Sequence, residues 1–306
     1  LNPYLVPLGG DGPGPLRPHD DPTHEDFYVP VDHTLAAFEQ FKASIGDAAK
    51  IRAKGRLVVA LGWDGCGKSS LLNRCATHLK SVLRQDDGQC LVFSFTDACR
   101  DSDSVEERQK AVCQCLIDEL DDRDMLTSKH RKKLDGYAPK LKYRYLGNHV
   151  LGDTAVVILL PRIELEQEVE SYAHWTHRNL VFLAESRQVE AVRAHWPKIK
   201  SASTEQGTVP IQLEVGKLEP DDGWAFVQAR NGHRTDGVVY PFVSKETIRA
   251  VIAAKEFSIG ELHNLLFRLF EEILAERTNS GPIGSGLTDE VTYNTITDFY
   301  FRRGTT

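Results

Sequence analysis

The amino-acid sequence predicts an α/β fold: a doubly wound, five-stranded parallel sheet with a small C-terminal helical lid. Three observations predict it. Five short apolar runs, "RLVVALG", "CLVFSF" (90–95), "AVVILL" (155–160), "LVFLA" (180–184) and "IQLEV" (211–215), alternate with segments of helical periodicity near 69–84, 104–121, 165–178 and 188–196. The glycine-rich stretch "GWDGCGKSS" separates the first run from the helix after it. Beyond about residue 216 the strand rhythm stops, and only helical periodicity continues.

Taken in order, residues 1–31 read as an extended arm, because Pro3, Pro7, Pro13, Pro15, Pro18, Pro22 and Pro30 with "GGDGPG" oppose a helix or a central strand. Asp32 is a plausible N-cap, and Leu35, Phe38, Phe41, Ile45 and Ala48 share one face of a helix that leads to the first strand. Residues 32–215 then form the α/β domain, with its ligand site expected at the carboxyl ends of the strands. Residues 216–278 form the lid, built from "PDDGWAFVQAR", "KETIRAVIAA" and "IGELHNLLFRLFEEILAER", the last with Leu262, Leu265, Leu266, Leu269 and Ile273 on one face. Residues 279–306 are a loop, "NSGPIGSG" (279–286), and a short helix or tail.

With 306 residues, 41% apolar and 26% charged, the chain is long enough for one large core and a satellite. A net charge of −7 excludes a globally basic DNA binder, so any nucleic-acid contact is local. Residues 129–145 are the candidate: Lys129, Arg131, Lys132, Lys133, Lys140, Lys142 and Arg144 suit phosphates, and Tyr137, Tyr143 and Tyr145 suit base stacking, against the alternative of a solvated helix face. No apolar run approaches the ~18 residues of a membrane span and no signal peptide is evident, which implies a cytoplasmic protein without a membrane partner. Cys66, Cys75, Cys90, Cys99, Cys113 and Cys115 form no CxxC pair and are expected as reduced thiols. His174, His177 and His195, near Trp175 and Trp196, read as packing residues rather than metal ligands. Because the chain begins with Leu1 rather than Met, a longer protein with an effector domain stays open.

Gly62, four residues, then Gly67, Lys68 and Ser69 match the phosphate-loop pattern GxxxxGK[ST] between a strand and a helix. Glycines let backbone amides curl around phosphate oxygens, and the helix adds its positive end. Gly62, Asp64, Gly65, Cys66, Gly67, Lys68, Ser69 and Ser70 are therefore the expected nucleotide-binding residues, with Lys68 on the β and γ phosphates and the Ser69 hydroxyl on Mg²⁺. The predicted fold class is thus a P-loop NTPase, with ATP and Mg²⁺ as cofactors. A hydrolase also needs a carboxylate at the end of a neighbouring strand. In "AVVILLPRIELE" the expected acids are replaced by Pro161 and Arg162, and Glu164 is the first acid. In "LAESRQ", Glu185 can supply the carboxylate, and Ser186 and Arg187 can sense phosphate. Asp97, after a strand expected at the sheet edge, is a weaker candidate.

The order of these pieces over residues 27–277 resembles the AAA+ and STAND (NACHT-like) class of P-loop ATPases. "GWDGCGKSS", "LVFLAESR", "VGKLEPDDGWAFVQAR" and "FSIGELHNLLFRLFEEIL" carry the resemblance. It implies that the strand ending in Glu185 lies between the phosphate-loop strand and the 155–160 strand, and that the arm, through Tyr4 or Phe27 to Pro30, touches adenine. It also implies a phosphate-sensing lid arginine, for which this sequence has Gly260. With the acidic strand end degenerate as well, the implied function is an ATP-binding switch or assembly ATPase with slow hydrolysis, whose nucleotide state controls homo-oligomerisation or an effector partner. Two alternatives stand beside it. Asp64 in GxDGxGKS and "DDRD" (121–124) resemble thymidylate kinases, which would make the chain a phosphotransferase, and the 129–145 segment would suit a nucleic-acid-binding ATPase module.

Overall fold

A strand that is apolar on both faces has to be covered on both, and parallel strands return to one sheet only through helical crossovers. The structure, a computed structural model describing residues 2–6, 12–84, 88–100, 103–232, 241–279 and 290–303, has this arrangement. Helices α1 (Asp32–Ile45) and α2 (Ala48–Lys54) precede β1 (Arg56–Leu61), and α3 (Lys68–Arg84) leads to β2 (Gln89–Ser94). Helices α4 (Val105–Asp121), α5 (Ser128–Asp135) and α6 (Pro139–His149) precede β3 (Thr154–Leu159). Then come α7 (Glu166–Trp175), β4 (Leu180–Ser186), α8 (Val189–Glu205) and β5 (Ile211–Glu214). The last helices are α9 (Pro220–Asn231), α10 (Lys245–Ala254), α11 (Ile259–Asn279) and α12 (Tyr293–Arg303). The sheet order is β2-β3-β4-β1-β5, with every pairing parallel, so β4 lies between β3 and β1 and β2 is an edge strand. No helix among the described residues is long and apolar enough to cross a membrane.

The chain divides into two compact units. One, Ala36–Gly62 with Leu71–Glu214, contains the sheet. Its core joins Leu57, Val59, Val156, Ile158 and Phe182 to the helix residues Val112, Leu116, Tyr143 and Tyr172. Tyr143 is fully buried, stacked 5.8 Å from Trp175 and edge-on 5.2 Å from Phe182, and Tyr145 is 9% exposed. This corrects the base-stacking expectation at Tyr143 and Tyr145, while Tyr137 is half-buried: the helical period turns Tyr143, Leu146 and Gly147 inward, and Lys129, Arg131, Lys132, Lys133, Lys140 and Arg144 stay exposed. The helix expected from Asp32 as one piece is two, broken at Gly46 (φ +83°) and restarted by Asp47, whose carboxylate accepts the Lys50 amide. Helix α8 runs through Pro197, because Val192, Ile199, Ala202 and Ser203 keep one buried face on both sides of it.

The other unit comprises Leu1–Leu35, Trp63–Ser70 and Val215–Thr306. The loop expected at 279–286 lies, from 280 on, outside the described residues. Its core gathers Phe226, Val227, Ile248, Ile252, Leu262, Leu266 and Phe270 around Tyr4. Tyr4 is wholly buried, edge-on to Phe270 at 4.9 Å, so its ring packs the lid rather than facing a ligand. The arm is also not extended throughout: Pro22–Phe27 form a 3-10 helix, with proline in the first turn and Asp21 accepting the Thr23 amide.

The ring Nε2 of His263 donates to the Tyr4 carbonyl at 2.6 Å, which ties the arm to α11. Burial, and then the nearby Arg230 charge, push the His263 pKa down to about 4, with the Tyr4 carbonyl opposing them. Unfolded histidine titrates near 6.5, so between these values the unfolded chain binds a proton that the folded chain refuses. Stability is complete above pH ~6.5 and falls with acidification toward pH ~4, by at most about 1.4 kcal/mol per pH unit. The urea midpoint of the wild type should therefore drop more steeply across this window than that of His263→Gln, whose amide still donates to Tyr4. Parallel pH profiles would contradict this account.

Candidate nucleotide-binding site

The loop after β1 forms a backbone cradle. Gly65 (φ +76°) and Gly67 (φ +82°) occupy the left-handed region, where a side chain is strained. The Cys66 amide donates to the Trp63 carbonyl at 3.3 Å, and the Lys68 Nζ donates to the same oxygen at 2.7 Å. Lys68 is only 5% exposed, whereas Asp64 and Trp63 are exposed. Ser69 and Ser70 sit in the first turn of α3, which has no acidic residue to oppose an anion. Ser70 is held by the arm: its Oγ accepts the Leu16 amide at 3.0 Å and its carbonyl accepts the Tyr28 hydroxyl at 2.5 Å. Burial pushes the Cys66 thiol above its ordinary range, with the Lys68 charge opposing. A cradle of backbone donors with an ammonium group at a helix N-terminus has the chemistry to hold a triphosphate, and Ser69 has the hydroxyl for Mg²⁺.

Helix α11 meets this loop backbone to backbone. The Gly260 amide donates to the Gly65 carbonyl at 2.9 Å, and a Cβ on Gly260 would stand 3.1 Å from the Gly65 Cα and oxygen. The close approach is the physical reason for glycine in the slot where the resemblance implied an arginine. Ser258 and Glu261 bond each other's amides in a capping box that starts the helix at this point. The S-x-x-E pattern was readable in "SIGE"; the contacts of Leu16 and Tyr28 with Ser70 had no local signal.

In the sheet unit the other candidates collect at the ends of β3 and β4. The β1–β4 register pairs Ala60 with Glu185 and Leu61 with Ser186, and the Gly62 amide continues it to the Ser186 carbonyl at 3.3 Å. Ser186 is fully buried and its Oγ accepts the Gln188 amide, so its hydroxyl shapes the turn. Glu164 joins two arginines: Arg162 Nε at 2.8 Å and Arg187 Nε at 3.1 Å. Glu185 is half-buried at its strand end, and Asp97 follows the edge strand β2.

The turn after β3 contains a bulge. Leu160 donates to the Leu183 carbonyl but Ile163 donates to that of Glu185, so three residues advance against two, with Pro161 and Arg162 between the bonds. The Arg162 carbonyl accepts from Arg108, whose Nε meets the buried Glu168 carboxylate at 3.1 Å. Burial raises the Glu168 pKa and Arg108 opposes it.

Gly65→Ala tests the loop–lid contact. Its positive φ costs a non-glycine residue roughly 1–2 kcal/mol, and its Cβ would stand 2.4 Å from the Ser258 Oγ. Hydrogen exchange at the Gly260 amide should accelerate at least about tenfold. Adding Ser258→Gly should restore part of the protection by removing the clash but not the φ strain.

No family model matches the sequence, and no curated protein matches it. Solved structures share the fold at low identity. The ORC2 protein of Aeropyrum pernix in ADPNP–ADP complexes superposes with a TM-score of 0.58 at 8% identity, covering 91% of this chain and 70% of that one. The A. pernix ORC1 protein in complex with DNA gives 0.56 at 10% identity, covering 90% and 66%. CDC6P from Pyrobaculum aerophilum gives 0.51 at 10% identity, covering 84% and 66%. The likeness is one of fold, a five-stranded parallel α/β sheet with its helices.

Proposed function

We propose that the chain is an ATP-binding switch or assembly ATPase of the AAA+/STAND kind, with slow hydrolysis and with nucleotide state controlling homo-oligomerisation or an effector partner. The observation that carries this reading is the positive-φ phosphate loop with α11 bonded to it through Gly65 and Gly260. A loop that touches a lid helix directly passes any change in its own contents to the lid, which is what a two-state switch needs. The ORC2 neighbour, a nucleotide complex, supports the ligand class.

ATP supplies the triphosphate and Mg²⁺ its charge neutralisation; the remaining work belongs to the chain. Gly65 to Ser70 would offer amides, Lys68 would turn its ammonium from the Trp63 carbonyl to the phosphates, and Ser69 would hold the metal. Arg187 would distinguish triphosphate from diphosphate by charge-assisted hydrogen bonds, in competition with its partner Glu164. Glu185 would orient the water. The Glu164 carboxylate is engaged by two guanidinium groups, which leaves Glu185 as the acid for the water and, in this reading, accounts for slow turnover.

The exposed lysines and arginines of α5 and α6 favour a second element of this reading, local contact with a nucleic-acid backbone without base stacking. The ORC1 neighbour, a DNA complex, is in keeping with it.

Lys68→Ala should abolish Mg·ATP binding in calorimetry while the protein still unfolds cooperatively; unchanged affinity would remove the site assignment. Steady-state turnover should fall far below the ~10 s⁻¹ typical of enzymes. Glu185→Gln should eliminate that turnover and keep ATP affinity, and Glu164→Gln should not. The reverse pattern would transfer the catalytic role to Glu164.

A further inference from the structure

Strand β5 starts later than the strand it pairs with, and the difference leaves a cavity in the sheet unit. The β1–β4 pairing begins at Arg56 opposite Val181, but the β1–β5 pairing begins only at Val58 opposite Ile211. Pro210, immediately before Ile211, has no amide with which to extend the ladder. The start of β1 therefore has no paired strand on this side, and an open cavity of about 300 Å³ takes its place. Helix α1 lines it with Gln40 and Ser44, and α8 lines it with Trp196 and Lys200, each pair four residues apart on one helix face. Arg56 and Val209, from the start of β1 and the approach to β5, complete the wall.

Hydrogen bonds fix this lining in advance. The Gln40 amide donates to the Gln212 carbonyl at 2.9 Å, which holds α1 against β5. The Arg56 guanidinium donates to the Thr208 hydroxyl and the Val209 carbonyl, both at 3.0 Å, and to the Ile45 carbonyl at 3.2 Å. These acceptors are neutral, so they orient the guanidinium without cancelling its charge. Burial lowers the Arg56 pKa from its ordinary value, yet an arginine remains a cation at neutral pH. Lys200 adds a second positive charge at the exposed rim, and none of the lining residues is acidic. Apolar surface stands beside the cations: the half-buried Trp196 indole and Val209, which is 59% exposed. Arg56 and Gly62 are six residues apart on one extended strand, so the cavity lies roughly 20 Å from the phosphate loop.

The geometry points to a second ligand site, for a small anion carried on a flat apolar body, a phosphate or carboxylate attached to an aromatic ring. Arg56 and Lys200 would take the anionic group, with hydrogen bonds from Ser44, and the ring would lie against Trp196 and Val209. A few fixed polar groups beside an apolar wall are the usual division of labour in small-molecule sites, and about 300 Å³ is at the lower end of their size. The site is independent of the nucleotide reading.

The test follows the Trp196 indole resonance of the whole chain by NMR, assigned through Trp196→Phe, during titration with phenyl phosphate, benzoate and benzyl alcohol. At least one of the two anions should shift it saturably and bind about tenfold or more tighter than benzyl alcohol; the better anion identifies the preferred group. Lys200→Glu, at an exposed position, should weaken that anion by about threefold or more. Arg56→Met should weaken it by about tenfold or more. Because Arg56 also ties Ile45 to Val209, Lys200→Glu carries the test if the methionine variant does not fold. Lys68→Ala should bind the probe as the wild type does. No saturable shift with either anion, equal affinity for benzyl alcohol, or unchanged affinity in the folded charge variants overturns the site. Loss of the shift in Lys68→Ala overturns it as well, since the probe would then be held by the phosphate loop.

Discussion

The parallel pairing of β1 with β4 is the constraint on which the strand ends of the sheet unit depend. It runs in one register from Arg56 opposite Val181 to Leu61 opposite Ser186, and the Gly62 amide extends it by one more bond. The first glycine of the phosphate loop and the Glu185-Ser186-Arg187 turn are thereby fixed on adjacent strand ends. Side chains alternate across a sheet, so a slip of one residue would turn Glu185 to the opposite face. Register here is set by burial: Leu57 to Leu61 and Leu180 to Ala184 are almost wholly out of solvent, and neither strand can shift without exposing its flank.

In the second unit, α11 meets the phosphate loop through backbone contacts. Gly65 and Gly260 approach so closely that neither admits a Cβ without displacing its surroundings, and the Ser258–Glu261 capping box fixes where α11 begins. The arm adds two further attachments, one at Ser70 through Leu16 and Tyr28, and one in the lid core through Tyr4 and its carbonyl bond to His263. Loop, arm and lid thus share one set of contacts. In the proposed switch, a change at the phosphate loop would reach α11 through the Gly260–Gly65 hydrogen bond and the arm through Ser70.

Much of this was legible in the sequence, for a physical reason in each case. Strands buried on both faces are continuous apolar runs, and "LVVAL", "AVVILL" and "LVFLA" could hardly be anything else in alternation with amphipathic helices. The phosphate loop was legible because its glycines answer a backbone need that no other residue meets as well. The misses share a different cause. In "KHRKKLDGYAPKLKYRYLGNH" the density of charge concealed the three-to-four spacing that buries Tyr143 and Leu146. In the arm, the prolines concealed Tyr4, whose burial depends on Phe226 and Phe270 more than two hundred residues away.

The slow-hydrolysis proposal, which starts from Pro161 and Arg162 in the sequence, also has the bulge after β3 to draw on. Val156 donates to Asn179 and Leu160 to Leu183 at a constant offset, which would carry the next bond from Arg162 to Glu185. The bond comes from Ile163 instead, one residue late. Proline at 161 has no amide to contribute, and the Arg162 carbonyl is drawn to Arg108, which is itself fixed by the buried Glu168. The extra residue at this strand end is thus tied to a buried ion pair. Restoring acids at 161 and 162 alone would leave that extra residue in place, so rapid turnover would also require a strand end that keeps the earlier offset as far as residue 162.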